Sequence, residues 1–381
     1  MTIYFVAGEV SADNHGAALM RSLRELDGKL RFIGRGGPQM KEVAGGQFKN
    51  WINEAAVLGL WEVLRKYGYF RAQFHETLRE VRESKPDAVV LIDYPGFNLR
   101  LARALRARQQ KVIYYISPQV WAWNRGRIKR MARFIDLVLC IFPFEVDLYH
   151  QAGLRALFVG HPMIERLQAR KTDTQREVNL IGLFPGSRSR EVRKIFPVML
   201  EAARKLRQHN SNLRFEVAAA SEQLAQEITR FWHRQPADQT RELEVRDAIQ
   251  ITVGRAAEIM QRAWAGIVAS GSATLEAAYF RLPFVLIYKV AWPTYLAARL
   301  VVNVKYLGMP NLLADKEVVR EFIQHRAKSS AVVKAVQPLI EDANARQRMI
   351  SQFDAIVPQL GDIGASQRAA QAIIEEIGGA T

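Results

Sequence analysis

Short runs of β-branched and aromatic residues alternate with helical stretches along this chain, and the alternation limits the folds open to it. Runs readable as buried strands cover residues 3–7, 31–34, 88–92, 112–116, 137–141 and 156–159. Helix-like segments lie between them at 17–26, 74–83, 99–108 and 128–133. A polar stretch at 166–178 follows His161-Pro162, and strands then resume at 180–184, 215–219, 243–246, 266–270 and 284–287. Such alternation builds right-handed βαβ units and a mostly parallel sheet covered on both faces. The reading is α/β: two tandem Rossmann-like doubly wound domains facing a central cleft, residues 1–165 and 166–364. A last helix at 366–377, after Gly361 and Gly364, lets the segment 365–381 pack back on the first domain. Two domains also suit a length of 381 residues. Ligands of such folds sit beyond the carboxyl ends of the strands.

Two strand–helix junctions in the second half concentrate the chemistry. Pro185-Gly186-Ser187-Arg188 follows the run 179–184, and Ser270-Gly271-Ser272-Ala273-Thr274-Leu275-Glu276 follows 266–269. Small residues between a strand and a helix start bring free backbone N–H groups and a positive dipole end to one spot. Arg188 adds a guanidinium suited to phosphate oxygens. Together they suit a nucleotide diphosphate; taken singly, each is also an ordinary βα turn, since serine and threonine cap helices widely.

In the first half, Ala7-Gly8-Glu9-Val10-Ser11-Ala12-Asp13-Asn14-His15-Gly16 follows the first strand and carries three titratable groups, Glu9, Asp13 and His15. Its glycine spacing is not the dinucleotide pattern. The competing structural reading makes Ser11 a helix cap and Asp13 a first-turn acid. Asp93, in Leu91-Ile92-Asp93-Tyr94-Pro95-Gly96-Phe97-Asn98, ends a buried strand at the ligand face. It could take a proton from an acceptor hydroxyl, or it could cap loop amides. Trp121 and Trp123 precede a basic run (Arg125, Arg127, Lys129, Arg130, Arg133). The tryptophans could bind an acyl chain or stack on a sugar, and the cations could hold a phosphate or form a solvated face.

Composition narrows the partners. There are 54 Lys and Arg against 38 Asp and Glu, a net charge of +16, which points to nucleic acid, an anionic membrane or phosphorylated substrates. No zinc-finger or RNP-type motif accompanies the charge, so nucleic acid is not expected. The segment 55–70 interleaves large apolar residues with Arg65 and Lys66, which suits an anionic lipid surface or a core-packing helix. The longest apolar run, 284–304, is interrupted by Lys289, Pro293 and Arg299, so no span is expected. Residues 1–6 form a strand-like run without a basic n-region or cleavage site, and Cys140 stands alone, so the reading is cytosolic, without a disulfide framework. No His/Asp cluster has ligand spacing, so neither metal nor cofactor is expected.

The ordered set of Gly8-Glu9 with Ser11-x-Asp13, Ile92-Asp93-Tyr-Pro-Gly-Phe-Asn98, Ser117-Pro-Gln-Val-Trp-Ala-Trp123, Pro185-Gly-Ser-Arg188, Ser270-Gly-x-Ala-Thr-Leu-Glu276 and Leu307-x-x-Pro-Asn311-Leu-Leu resembles the lipid-A-disaccharide synthases over essentially the whole chain. Ala12 departs from that pattern, where the family usually has glycine. The resemblance implies a GT-B glycosyltransferase, peripheral on the cytoplasmic face of a Gram-negative inner membrane. It would join UDP-2,3-diacylglucosamine to 2,3-diacylglucosamine 1-phosphate, forming a β-1,6 disaccharide and UDP. On this reading Asp93 is the base, with His15 the runner-up, and Arg188 and Ser187 stabilise the leaving diphosphate. Gly271, Ser272 and Thr274 contact phosphate, Glu276 binds the ribose, and Asn311 lines the same pocket. Gly8, Glu9, Ser11, Asp13, Trp121 and Trp123 serve the acceptor. The C-terminal segment could be exchanged in a homodimer. Two other classes compete: a UDP-N-acetylglucosamine 2-epimerase-like enzyme, and a basic membrane-binding module without catalysis.

Overall fold

The apolar runs form strands buried on both faces, as a parallel sheet between helices requires. The computed structural model describes residues 1–55, 67–123, 126–233, 248–292, 295–296, 299 and 304–378. Most of the apolar–basic segment 55–70, Arg125, the expected strand 243–246 and part of the run 284–304 lie outside the described residues.

The described chain divides into two compact units, Met1–Glu165 with Leu360–Thr381, and Arg166–Gln359. The first unit holds β1 (Thr2–Ala7), β2 (Arg31–Gly36), β3 (Phe48–Asn50), β4 (Ala88–Ile92), β5 (Val112–Tyr115), β6 (Leu137–Cys140) and β7 (Ala156–Phe158). Their order is β3-β2-β1-β4-β5-β6-β7, and neighbouring strands pair in parallel. Cys140 is buried in β6. The C-terminal helix Ala365–Gly378 contributes Ala369, Ala370, Ala372 and Ile373 to this core, beside Leu19, Met20 and Leu23 of the helix Val10–Leu26.

The second unit repeats the plan with β8 (Glu177–Phe184), β9 (Arg214–Ala219), β10 (Ile249–Val253), β11 (Ala263–Ala269), β12 (Phe284–Tyr288) and β13 (Glu321–Ile323). Their order is β10-β9-β8-β11-β12-β13, again parallel. The helix Ser189–His209 covers it with Val192, Ile195, Phe196, Met199, Ala203 and Leu206, one stripe at helical spacing. In both sheets the chain reverses direction across the sheet between the first and fourth strands of the unit. That switch point, β1 beside β4 and β8 beside β11, opens a crevice at the strands' carboxyl ends.

Three edge strands escape the sequence pattern. β3 and β13 have three residues each, too few to show a period. β10 (Ile249–Val253) lies just beyond the expected strand 243–246.

Candidate functional site

Both motifs of the first unit fall at its switch point. Ala7 of β1 pairs with Ile92 of β4, so Gly8-Glu9 and Asp93-Tyr94 leave the sheet side by side. Gly8 is required by this proximity: a Cβ there would come within 2.4 Å of the Tyr94 ring. Asp93 and Tyr94 both adopt left-handed backbone, with φ of 47° and 50°. Such a pair persists only when its surroundings over-determine it. Here the Asp93 N–H donates to the Tyr115 carbonyl at 3.1 Å. The Asp93 carbonyl in turn accepts from the Tyr114 hydroxyl at 2.6 Å and the Asn98 amide at 2.8 Å.

The turn thus holds the Asp93 carboxyl half-buried and close to a second acid. Burial pushes its pKa up to about 6, the Glu9 charge adds to the shift, and the Tyr94 backbone N–H opposes it. A carboxylate in that range is poised as a general base near neutral pH. Glu9 is exposed at the cap of the helix Val10–Leu26, and His15 is half-buried in the second turn of that helix.

Other acceptor-side residues sit differently from the sequence reading. The helix begins at Val10, so Ser11 is an exposed first-turn residue rather than its cap. Asp13 is buried, and its carboxylate accepts from the backbone N–H groups of Gly37, Gln39 and Met40 at 2.9–3.0 Å. It caps the helix Pro38–Ala44 from outside, and so is structural. Trp121 is a core residue, 5% exposed, whose indole N–H donates to Glu145 at 2.9 Å and whose ring packs edge-on against Phe144. It therefore offers no face for stacking on a sugar. Trp123 ends the short helix Val120–Trp123, and its side chain is outside those described. Lys129, Arg130 and Arg133 face solvent.

A wall of aromatic rings adjoins Asp93. Trp51 donates its indole N–H to the Ala7 carbonyl at 2.6 Å and packs edge-on against Tyr94 and Phe97. Phe97 meets Phe74, from the helix Tyr67–Ser84, at 6.0 Å between centroids. Between these elements lies a cavity of about 430 Å³ whose lining includes Tyr94, Gly96, Arg71 and Arg100.

In the second unit, Phe184 of β8 pairs with Val268 of β11, so the two small-residue turns are neighbours. A Cβ on Gly186 would lie 3.7 Å from Ala269. Gly186 and Gly271 have φ of 107° and 142°, values that L side chains rarely adopt. Ser187, Arg188, Gly271 and Ser272 are all exposed along this edge. Arg188 precedes the 21-residue helix Ser189–His209, whose first turn offers N–H groups without intrahelical acceptors. Its guanidinium pairs with Glu191 at 3.3 Å while remaining 56% exposed, so it is available to an anion. Tyr288, at the end of β12, is half-buried beside this pair: burial raises its pKa, Glu191 adds to the rise and Arg188 opposes it. Sequence reasoning missed Tyr288 because nothing local distinguishes it from any strand-ending aromatic.

Glu276 holds its carboxylate 2.8 Å from Arg166 and is 14% exposed. Two expected ligand contacts are replaced by internal ones. The buried Thr274 hydroxyl donates to the Gly271 carbonyl at 2.8 Å and shapes the turn. Asn311 is fully buried; its amide donates to the Val319 carbonyl and Glu321, while its oxygen accepts from the Val318 and Val319 N–H groups. Glu321 also accepts from the Leu307 and Gly308 N–H groups, so Asn311 fastens a loop rather than facing a ligand. Asn311→Ala strands two backbone donors, each costing about 1–3 kcal/mol. We expect a clear fall in melting temperature with UDP affinity changed little at temperatures where the variant is folded. Unchanged melting with lost UDP binding would make it a ligand contact instead.

Among the described residues no group of three or more His, Cys, Asp or Glu could hold a metal ion, and no helix is long and apolar enough to cross a membrane.

Known proteins share this architecture. The chain is similar to the calicheamicin glycosyltransferase CalG4 across 100% of its own length and 98% of that chain, with TM-score 0.59 and 13% identity. It is similar to UDP-N-acetylglucosamine 2-epimerase from Rickettsia bellii across 99% and 96%, with TM-score 0.60 and 15% identity. At such identities the likeness concerns the fold, which is that of the GT-B glycosyltransferases. The family described as lipid-A-disaccharide synthetase matches residues 3–374. The lipid-A-disaccharide synthase of Geobacter sulfurreducens is 38% identical, over 99% of this chain and 97% of that protein. The chain belongs to the lipid-A-disaccharide synthetase family, and its activity is lipid A disaccharide synthesis by glycosyl transfer.

Proposed function

We propose that the protein is an inverting hexosyltransferase that joins UDP-2,3-diacylglucosamine to 2,3-diacylglucosamine 1-phosphate. The products are the β-1,6 disaccharide 1-phosphate and UDP. The observation that carries this reading is Asp93: a half-buried carboxyl raised to about 6, held at a switch point by a left-handed turn whose Asp93 N–H and carbonyl are both hydrogen-bonded. Its carboxylate takes the proton from the acceptor 6-hydroxyl as that oxygen attacks the anomeric carbon. The bond to the diphosphate breaks on the opposite face, which inverts the configuration. Charge developing on the departing diphosphate meets Arg188, Ser187 and the N–H groups opening the helix Ser189–His209. Glu276 accepts from the ribose hydroxyls, while Arg166 offsets its charge beside the diphosphate.

The net charge of +16 supports residence on the anionic inner face of the inner membrane, with the segment 55–70 as the docking element. The test is direct. Purified protein with both substrates should yield disaccharide and UDP in equal amounts, and neither substrate alone should release UDP. Consumption of UDP-sugar without acceptor would favour the epimerase class instead.

A further inference from the structure

We propose that the aromatic cavity beside Asp93 holds an acyl chain of the acceptor, and that Arg71 and Arg100 at its mouth hold that lipid's phosphate. The proposal rests on Asp93 being the base.

The cavity exists because an apolar stripe outruns the core. On the helix Tyr67–Ser84, Thr77, Leu78 and Val81 are buried. One and two turns earlier, Phe74 and Phe70 continue the same face but are only half-buried. The opposite wall is Tyr94, Gly96 and Phe97, from the turn after β4 and the helix Pro95–Arg106. The space between is about 430 Å³. Its charged lining residues are two exposed arginines, and no carboxylate lines it among the described residues. A slot of aromatic rings rimmed by guanidinium groups matches an anionic amphiphile: hydrocarbon inside, phosphate oxygens at the rim. The neighbouring cavity of about 1060 Å³ shows the contrast, since Lys49 in it is paired with Glu76 and Glu80. Tyr94 links the slot to the chemistry, because it lines the cavity and directly follows Asp93. A chain seated there brings its sugar to the base.

Gly96 permits a plug. A Cβ at Gly96 meets nothing within 4 Å, and its backbone is not in the left-handed region. Gly96→Leu therefore adds bulk to the cavity lining without backbone strain. Each buried methylene changes affinity by roughly fourfold, so the wild-type KM for acceptor should fall steeply as its chains lengthen. Gly96→Leu should flatten that series and raise KM for long-chain acceptor by about tenfold or more, with donor KM unchanged. Phe74→Ala should instead move the preferred chain length upward. Arg71→Gln with Arg100→Gln should erase the preference for phosphorylated over unphosphorylated acceptor. An unaltered chain-length series in both cavity variants overturns the proposal. So does a parallel loss of binding to anionic phosphatidylglycerol vesicles, which would make the slot a membrane contact. Should Asp93→Asn keep full activity, the base assignment fails; an inactive Asp93→Asn with unaltered chain-length series removes the chain site alone.

Discussion

Asp93→Asn should lower the transfer rate by about 10²–10⁴-fold while leaving the fold and UDP affinity intact. Asparagine is the informative replacement because it tolerates the left-handed backbone that Asp93 adopts, with φ of 47°. Wild-type activity should also carry the signature of this carboxyl. The base form predominates above its pKa, so kcat/KM should rise through about pH 6 and then level off. Glu9 contributes to that elevation, so Glu9→Gln should move the rising limb to lower pH. An Asp93→Asn enzyme of near-full rate would reduce Asp93 to a loop cap and make His15 the base to examine.

Arg188→Ala should cost about 10²–10³-fold in rate, the usual effect of removing one donor to a developing negative charge. The fold should survive, because the ion pair with Glu191 is exposed, and such pairs contribute at most about 1 kcal/mol. Lysine at the same position should restore only part of the rate, since it lacks the planar fork that grips two phosphate oxygens. A loss below about tenfold would move the burden to the backbone N–H groups of the two turns.

Much of the architecture was legible because parallel strands covered on both faces read as continuous apolar runs. The carboxyl-end turns were legible too, since glycines with φ of 107° and 142° leave a mark in composition. What stayed hidden was which way a polar or amphipathic residue faces. Asp13 turns to Gly37, Trp121 to Glu145 and Asn311 to Glu321, and no local pattern announces those partners. Each is buried by tertiary contact, which a motif cannot report. Tyr94 lay inside a recognised block, yet its place over Gly8 follows from strand register rather than from sequence spacing.

Attack on the anomeric carbon opposite the leaving diphosphate must invert its configuration. The deciding measurement is the anomeric configuration of the disaccharide, by NMR coupling across the new linkage, from a reaction that starts with α-configured UDP-sugar. We predict a β-1,6 linkage, formed at full rate only by enzyme with Asp93 in place. An α linkage, or β-linked product at wild-type rate from Asp93→Asn, would contradict the central claim.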